Sequence, residues 1–292
     1  MSWVFSLKTK VQHGSPSFAV PTGAVDCHAH IFGPYDTYPL ATDRTYSPPA
    51  ASLESYLKLL SVLGIKRGVL VQPSVYGFDN SCLINALKFA GQQFRGVAVV
   101  KPDCEDEELE RLHEAGVRGL RINMVFGGGT SMEAARALSQ RIKRFGWHLQ
   151  ILVDVSQFKG LTQFVRSLRV PVVIDHMGHV SADVALNNAG FLELLDLLRA
   201  QECWIKLSGS YRMTKQTIPP YSDIVSIAKA LVSAGPTRCV WATDWPHPMI
   251  PVPMPNDGDL IDQLETWIPD ATTRHRVLVD NAVHLYGFEQ ES

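Results

Sequence analysis

The sequence predicts an α/β fold, a single-domain (β/α)8 barrel of the TIM type. Three observations predict it: about eight short apolar runs, helical patterns between them in strict alternation, and polar residues gathered at the ends of those runs. Residues 1–22 carry Lys8, Lys10, His13, Gly14 and Pro16 without periodicity and are expected to form an N-terminal arm, leaving 23–292 for the barrel. The first run, residues 25–32, ends in His28 and His30, which alternate on a strand and so face the same way. Residues 33–49, rich in Pro, Tyr and Thr, are long for a connection and mark a functional loop containing Tyr46. Ser52 then reads as a helix cap, with Leu53, Tyr56, Leu57 and Leu60 at helical spacing and Gly64 as the stop.

Later strand-like runs fall at 68–72, 96–100, 119–124, 148–154, 170–176, 204–208 and 239–244. They are nearly continuous in apolar character, as parallel strands covered on both faces are. Helical patterns lie between them, for instance at 107–115, 132–145, 191–200 and 223–234, most closed by a glycine such as Gly116, Gly146 or Gly235. A doubly wound sheet would bring fewer strands and a Gly-x-Gly-x-x-Gly turn. The glycine cluster Gly127-Gly128-Gly129 does not match that turn and reads as a loop after the fourth strand.

Composition narrows the function. With 27 basic against 29 acidic residues the net charge is -2, which supplies no footprint for nucleic acid and favours a small-molecule partner. The five cysteines are scattered without a Cys-x-x-Cys pair, so a disulfide framework and a zinc ribbon are both disfavoured and a reducing cytoplasm is expected. No apolar run approaches membrane-spanning length. Oligomeric state is left open.

In a barrel of this kind the C-terminal strand ends carry the chemistry. The residues falling there are His28 and His30, Ser74 just past Gln72, Arg121 and Asn123, Asp154, Asp175 and His176, Ser208 with Arg212 beyond it, and Asp244. Arg121 sits inside an apolar run, so Asp26, Asp154 or another acid must neutralise it, or a substrate anion must. Asp26 and Asp175 are expected to orient neighbouring histidines. His247, between prolines, is expected to fix its loop, and His13, His113, His148, His275 and His284 to be structural or exposed.

Three segments in this order, Val25-Asp26-Cys27-His28-Ala29-His30, Val173-Ile174-Asp175-His176-Met177-Gly178 and Val240-Trp241-Ala242-Thr243-Asp244-Trp245-Pro246-His247-Pro248, resemble the amidohydrolase superfamily. Within it they are most similar to the branch of 2-pyrone-4,6-dicarboxylate hydrolase, galactarolactone isomerase and sugar-acid lactonases. The resemblance implies a (β/α)8 fold, hydrolysis at a carbonyl and Asp244 as general base. It also implies that Tyr46, Ser74, Arg121 and Arg212 grip substrate carboxylates. Two departures leave the lactone open: the Gly127 region replaces a second basic residue after the fourth strand, and Leu152 replaces a tyrosine on the fifth. The isomerase lacks the first histidine of the pair, which this chain keeps.

The expected reaction is ring opening of a small carboxylated lactone, either 2-pyrone-4,6-dicarboxylate-like or a sugar-acid lactone. Asp244 would activate water, His28, His30 and His176 would stabilise the oxyanion, and Arg121, Tyr46, Ser74, Arg212 and Asn123 would bind substrate. The rivals are a lactone isomerase and a metal-dependent decarboxylase on the same barrel; a barrel that only binds ligands is argued against by the retained His28, His30 and Asp244. The resemblance implies a site that needs no cofactor, whereas His28, His30, His176 and Asp244 supply enough ligands for one divalent ion, zinc or manganese. Both possibilities stand at this point.

Overall fold

The computed structural model describes residues 14–124 and 131–289; the Gly127-Gly128-Gly129 loop and most of the arm lie outside them. Eight parallel strands run in sequence order around one sheet: β1 (Val25–Ala29), β2 (Arg67–Val71), β3 (Phe94–Ala98), β4 (Val117–Asn123), β5 (His148–Leu152), β6 (Val172–Ile174), β7 (Trp204–Leu207) and β8 (Cys239–Trp241). The barrel closes between β8 and β1 through an isolated parallel bridge, Ala29 with Trp245, and the bonds Asp244 N to His28 O (2.9 Å) and His30 N to Trp245 O (2.8 Å). Among the described residues, no helix is long and apolar enough to cross a membrane.

Helices follow the strands as the periodicity demands. α1 (Leu53–Leu63) starts where Ser52 accepts from the Ser55 N–H, and it stops at Gly64, whose φ of 73° favours a residue without Cβ. Its buried stripe is Tyr56, Leu59, Leu60 and Leu63, and Leu57 faces outward. Tyr56 and Leu60 thus face the core as the spacing suggested and Leu53 packs partly against it, whereas Leu57 does not. Then come α2 (Ser81–Ala90), α3 (Asp106–Glu114), α4 (Met132–Ile142), α5 (Leu161–Ser167), α6 (Ala189–Arg199), α7 (Ser210–Met213), α8 (Val225–Ala234), α9 (Asp257–Trp267), α10 (Ala271–His275) and α11 (Asn281–Tyr286). The described part of the arm runs along α9, where the Gly14 and Ser17 N–H groups donate to Asn256 and Asp262.

β6 and β8 are shorter than their apolar runs. Beyond them the backbone turns left-handed at His176 (φ 48°) and Asp244 (φ 64°), which removes both residues from the ladder and turns their side chains into the barrel mouth. Non-glycine residues in that region cost about 1–3 kcal/mol each and persist where surrounding contacts hold them.

Two apolar layers result. Large residues from strands and helices fill the space outside the sheet, while Val25, Val69, Val71, Val97, Val173 and Val240 pack inside it with Tyr286 and Phe288 from the C-terminal segment. Each fully buried side chain of this size contributes about 1.5–3 kcal/mol. His148 belongs to the inner layer, its ring edge-on to Tyr286 at 5.2 Å. The ring lies so close over Gly119 that a Cβ there would sit 2.5 Å from Nε2. Burial, followed by the charge of Lys206, pushes the His148 pKa from 6.5 down to about 3. At pH 5 the unfolded chain binds a proton on this ring that the folded chain refuses, so the stabilisation is complete above 6.5 and is lost as pH falls toward 3. Replacing His148 by Leu should flatten the acid limb of stability by about 2 kcal/mol between pH 6.5 and 5. Urea unfolding of both chains at the two pH values measures this, and parallel losses would contradict it.

Candidate functional site

The histidine pair owes its position to a bulge. β1 pairs Asp26 with Gly68 but Ala29 with Leu70, so three steps on β1 oppose two on β2. Asp26 consequently faces out of the barrel, where its carboxylate accepts from Tyr56 OH (2.8 Å), Thr243 Oγ1 (2.6 Å) and the N–H groups of Thr243 and His28. Asp26 was expected to orient a neighbouring histidine; the hydrogen bond it makes to His28 is to the backbone N–H. Burial raises the Asp26 pKa to about 6 against these bonds.

The rings of His28 and His30 turn inward and touch, Nε2 to Nε2 at 3.2 Å. His30 Nδ1 lies 2.7 Å from the Val71 carbonyl, which only accepts, so Nδ1 carries the proton of the neutral ring and Nε2 has the lone pair. Around His28 Nδ1 stand two donors, Lys206 Nζ at 3.3 Å and Gln150 Nε2 at 3.4 Å, which assigns its proton to Nε2, pointing at His30. Both rings are neutral near pH 7. Burial depresses His28 well below its ordinary value, and burial followed by Arg121 brings His30 down to about 4. His176, held down to about 3 by burial, meets Ser208 Oγ through Nδ1 at 3.0 Å.

Asp244 divides its carboxylate. Oδ2 accepts from Tyr211 OH (2.6 Å) and from Arg212 Nε and Nη2 (2.9 and 2.8 Å). Oδ1 is buried without a hydrogen-bond partner among the described residues, 3.8 Å from Nε2 of each of His28, His30 and His176. Burial opposes its charge, but Arg212 and the surrounding imidazoles outweigh it and hold the carboxyl well below the usual range. Because those rings are neutral, Arg212 is the cation that keeps Asp244 ionised. Tyr211 continues outward to His247 Nδ1 (2.9 Å), whose Nε2 reaches Asp257 (3.0 Å). His247 thus braces the loop, as its place between prolines suggested.

Beneath the histidines lies a second carboxylate, Asp175. Arg121 Nε (3.3 Å) and Gln150 Nε2 (3.1 Å) donate to its Oδ2, and Lys206 Nζ stands 3.6 Å from Oδ1. Asp175 is therefore the acid that neutralises Arg121. Asp154 instead caps its own turn by accepting from Ser156 N and Oγ. Lys206, fully buried, also donates to Cys27 O (2.9 Å) and Gln150 Oε1 (2.7 Å).

The nine expected site residues converge. Tyr46, Ser74, Arg121, Asn123 and Arg212 line one cavity with His30, His176 and Asp244, and His28 lies directly under it. Leu152, His179, Pro248 and Met249 complete the lining. Lys206, Gln150 and Tyr211 were not anticipated. The first two interrupt apolar strand runs as Arg121 does, and that signal was available; nothing in the sequence marks Tyr211.

Among the described residues, His28, His176 and Asp244 form a group whose donor atoms lie within 4.8 Å of one another. They fit a divalent ion. Asp244 Oδ1 and Asp175 Oδ1 are both orphaned, and the latter lies 3.5 Å from His28 Nδ1. Moving the His28 proton to Nδ1 would satisfy Asp175 and leave the Nε2 lone pairs of His28 and His30 facing a shared cation, with Asp175 orienting its ligand.

Lys206 and Asp175 should thus be coupled. Removing one partner of such a buried cluster costs about 3–5 kcal/mol. Lys206→Met and Asp175→Asn should each destabilise on that scale, and the double variant by clearly less than their sum. Urea unfolding of all four chains measures the coupling, and strict additivity would contradict it.

Comparison with known proteins places the chain. Residues 25–288 match the sequence profile of a family described as amidohydrolase. The chain is 37% identical over 276 residues to a 4-sulfomuconolactone hydrolase of Rhizobium radiobacter, covering 93% of this chain and 92% of that one. It is likewise 37% identical over 286 residues to a 2-pyrone-4,6-dicarboxylate hydrolase of Comamonas testosteroni, with 94% and 93% covered. A crystal structure of a Pseudomonas putida protein, described as a putative 2-pyrone-4,6-dicarboxylic acid hydrolase, superposes with a TM-score of 0.80 at 33% identity, over 93% of this chain and 100% of that one.

Proposed function

The chain belongs to the amidohydrolase family, and from that premise we propose that it hydrolyses the lactone ring of a small carboxylated substrate. The observation that carries the reading is Asp244 Oδ1, ionised, buried and bare among three imidazoles while its twin oxygen is held by Tyr211 and Arg212. A buried carboxylate oxygen with a free lone pair is positioned to take a proton from water. The names of the two relatives at 37% identity, both ring-opening hydrolases, support the same chemistry.

Ring opening then proceeds in steps that balance. A water held at Asp244 Oδ1 loses a proton to it as the water oxygen adds to the ring carbonyl. The oxyanion falls to His176, whose Nε2 carries the proton when Nδ1 accepts from Ser208. His30, its one N–H committed to Val71, holds its Nε2 as an acceptor and is not an oxyanion donor in this state. Collapse breaks the ring C–O bond, and the proton on Asp244 passes to the departing oxygen. The product is a hydroxy acid from a saturated lactone or an enol acid from a pyrone, ionised at the new carboxyl. His28, His176 and Asp244, with His30 Nε2 3.2 Å from His28 Nε2, would hold a divalent ion such as zinc or manganese, whose chemistry there would be polarisation of a carbonyl or of water.

Charge points to an acidic substrate. The site holds the cations Lys206, Arg121 and Arg212 against the carboxylates Asp175 and Asp244, an excess of one positive charge with neutral histidines. Arg212 gives both Nε and Nη2 to Asp244, whereas Arg121 gives Asp175 its Nε alone, so the Nη groups of Arg121, on the cavity wall, would grip a substrate carboxylate, with Tyr46, Ser74 and Asn123 beside it. A cytoplasmic setting suits its five free thiols.

Screening carboxylated lactones and pyrone acids with a pH indicator tests the reading, since hydrolysis releases acid and isomerisation does not. On a substrate so found, Asp244→Asn should lower turnover about a thousandfold while unfolding stays cooperative. A fully active Asp244→Asn chain would sink the assignment of the base.

A further inference from the structure

At the end of the barrel away from the histidines lies a cavity of about 700 Å³. Among the described residues, five cationic side chains line it against two carboxylates, Glu114 and Glu289. Three of the cations stand at the start of successive strands: Arg67 opens β2, and Arg95 and Arg118 are the second residues of β3 and β4. Parallel strands bring these starts to one rim, so the alignment follows from the topology. Phe288 sits between two of them, its ring centroid 4.6 Å from the Arg95 guanidinium carbon and 5.7 Å from that of Arg67.

Two of these arginines, Arg95 and Arg118, are fixed by backbone carbonyls and not by carboxylates among the described residues. Arg95 donates to the carbonyls of Gln92, Phe94 and Gly287, and Arg118 to those of His113 and Val117. Neither makes an ion pair with a carboxylate, and the buried Arg95 Nε has no hydrogen-bond partner, among the described residues. Burial first, and then the charges of Arg118 and Arg67, lower the Arg95 pKa, and burial does the same for Arg118. Guanidiniums fixed by backbone carbonyls keep their planar forks rigid, and that rigidity suits them to an oxyanion.

We propose that this rim is a second binding site, for a multivalent oxyanion carrying phosphate or carboxylate groups, separate from the catalytic cavity. Titration calorimetry on the full chain at fixed ionic strength, with pyrophosphate in one arm and citrate in the other, tests it. Saturable binding of one equivalent is expected in at least one arm, and the stronger arm identifies the oxyanion. Arg95→Met and Arg118→Met should each weaken it about tenfold. Arg95→Lys, which keeps the charge, should retain part of the affinity and guard against a folding defect. Arg121→Met, in the catalytic cavity, should leave binding intact. No saturable binding, binding indifferent to Arg95 and Arg118, or binding lost in Arg121→Met would each overturn the site. So would binding that emerges only after removal of residues 290–292, because the cavity would then serve the chain's own C-terminal carboxylates.

Discussion

The carboxylate of Asp26 closes the barrel. β8 ends at Trp241, short of the level where chemistry takes place, so strand pairing alone does not hold that edge. Asp26 takes its place, accepting from Tyr56 on α1, from both donors of Thr243 and from the His28 N–H. Two backbone bonds, Asp244 N to His28 O and His30 N to Trp245 O, then fall into register. The histidine pair and the strand-eight carboxylate are neighbours because of this closure. Their separation in sequence is over two hundred positions, and the extra residue in β1 is what lets Asp26 face outward while His28 faces in.

Within the mouth, charge is partitioned in depth. The lower carboxylate, Asp175, is occupied by Lys206, Arg121 and Gln150 and supports His28; the upper one, Asp244, gives one oxygen to Tyr211 and Arg212 and exposes the other to the imidazoles. Neutral histidines follow from burial. The proposed water activation would use the bare Asp244 oxygen directly, and the bare oxygens on either side of His28 would suit the same residues to a cation through a change of tautomer. An orphaned buried oxygen costs free energy on the order of 1–3 kcal/mol, and groups left in that condition mark places where a ligand completes the structure.

Periodicity made the fold legible. Apolar runs of strand length alternating with capped helical patterns define eight β/α units, and Ser52 and Gly64 bound α1 as expected. His28, His30, His176 and Asp244 were visible because polar groups at the ends of apolar strands have few structural reasons to be there. Lys206 and Gln150 were not singled out, although each interrupts an apolar run as Arg121 does. Their meaning is pairwise, since Lys206 meets Gln150 across 56 positions and His28 across 178, and one sequence carries no record of such pairs. The bulge that separates Asp26 from the histidine face and the left-handed turns at His176 and Asp244 were hidden for a related reason. Neither requires a glycine, so no residue type announces them.

The central proposal is that water adds to a lactone carbonyl in this cavity. Turnover of a carboxylated lactone in water enriched in oxygen-18, followed by mass spectrometry of the opened product, tests it most directly. A single turnover should place one heavy oxygen in the newly formed carboxylate and none in the hydroxyl or enol oxygen released from the ring. Product without the label would contradict the account and assign the barrel to isomerisation.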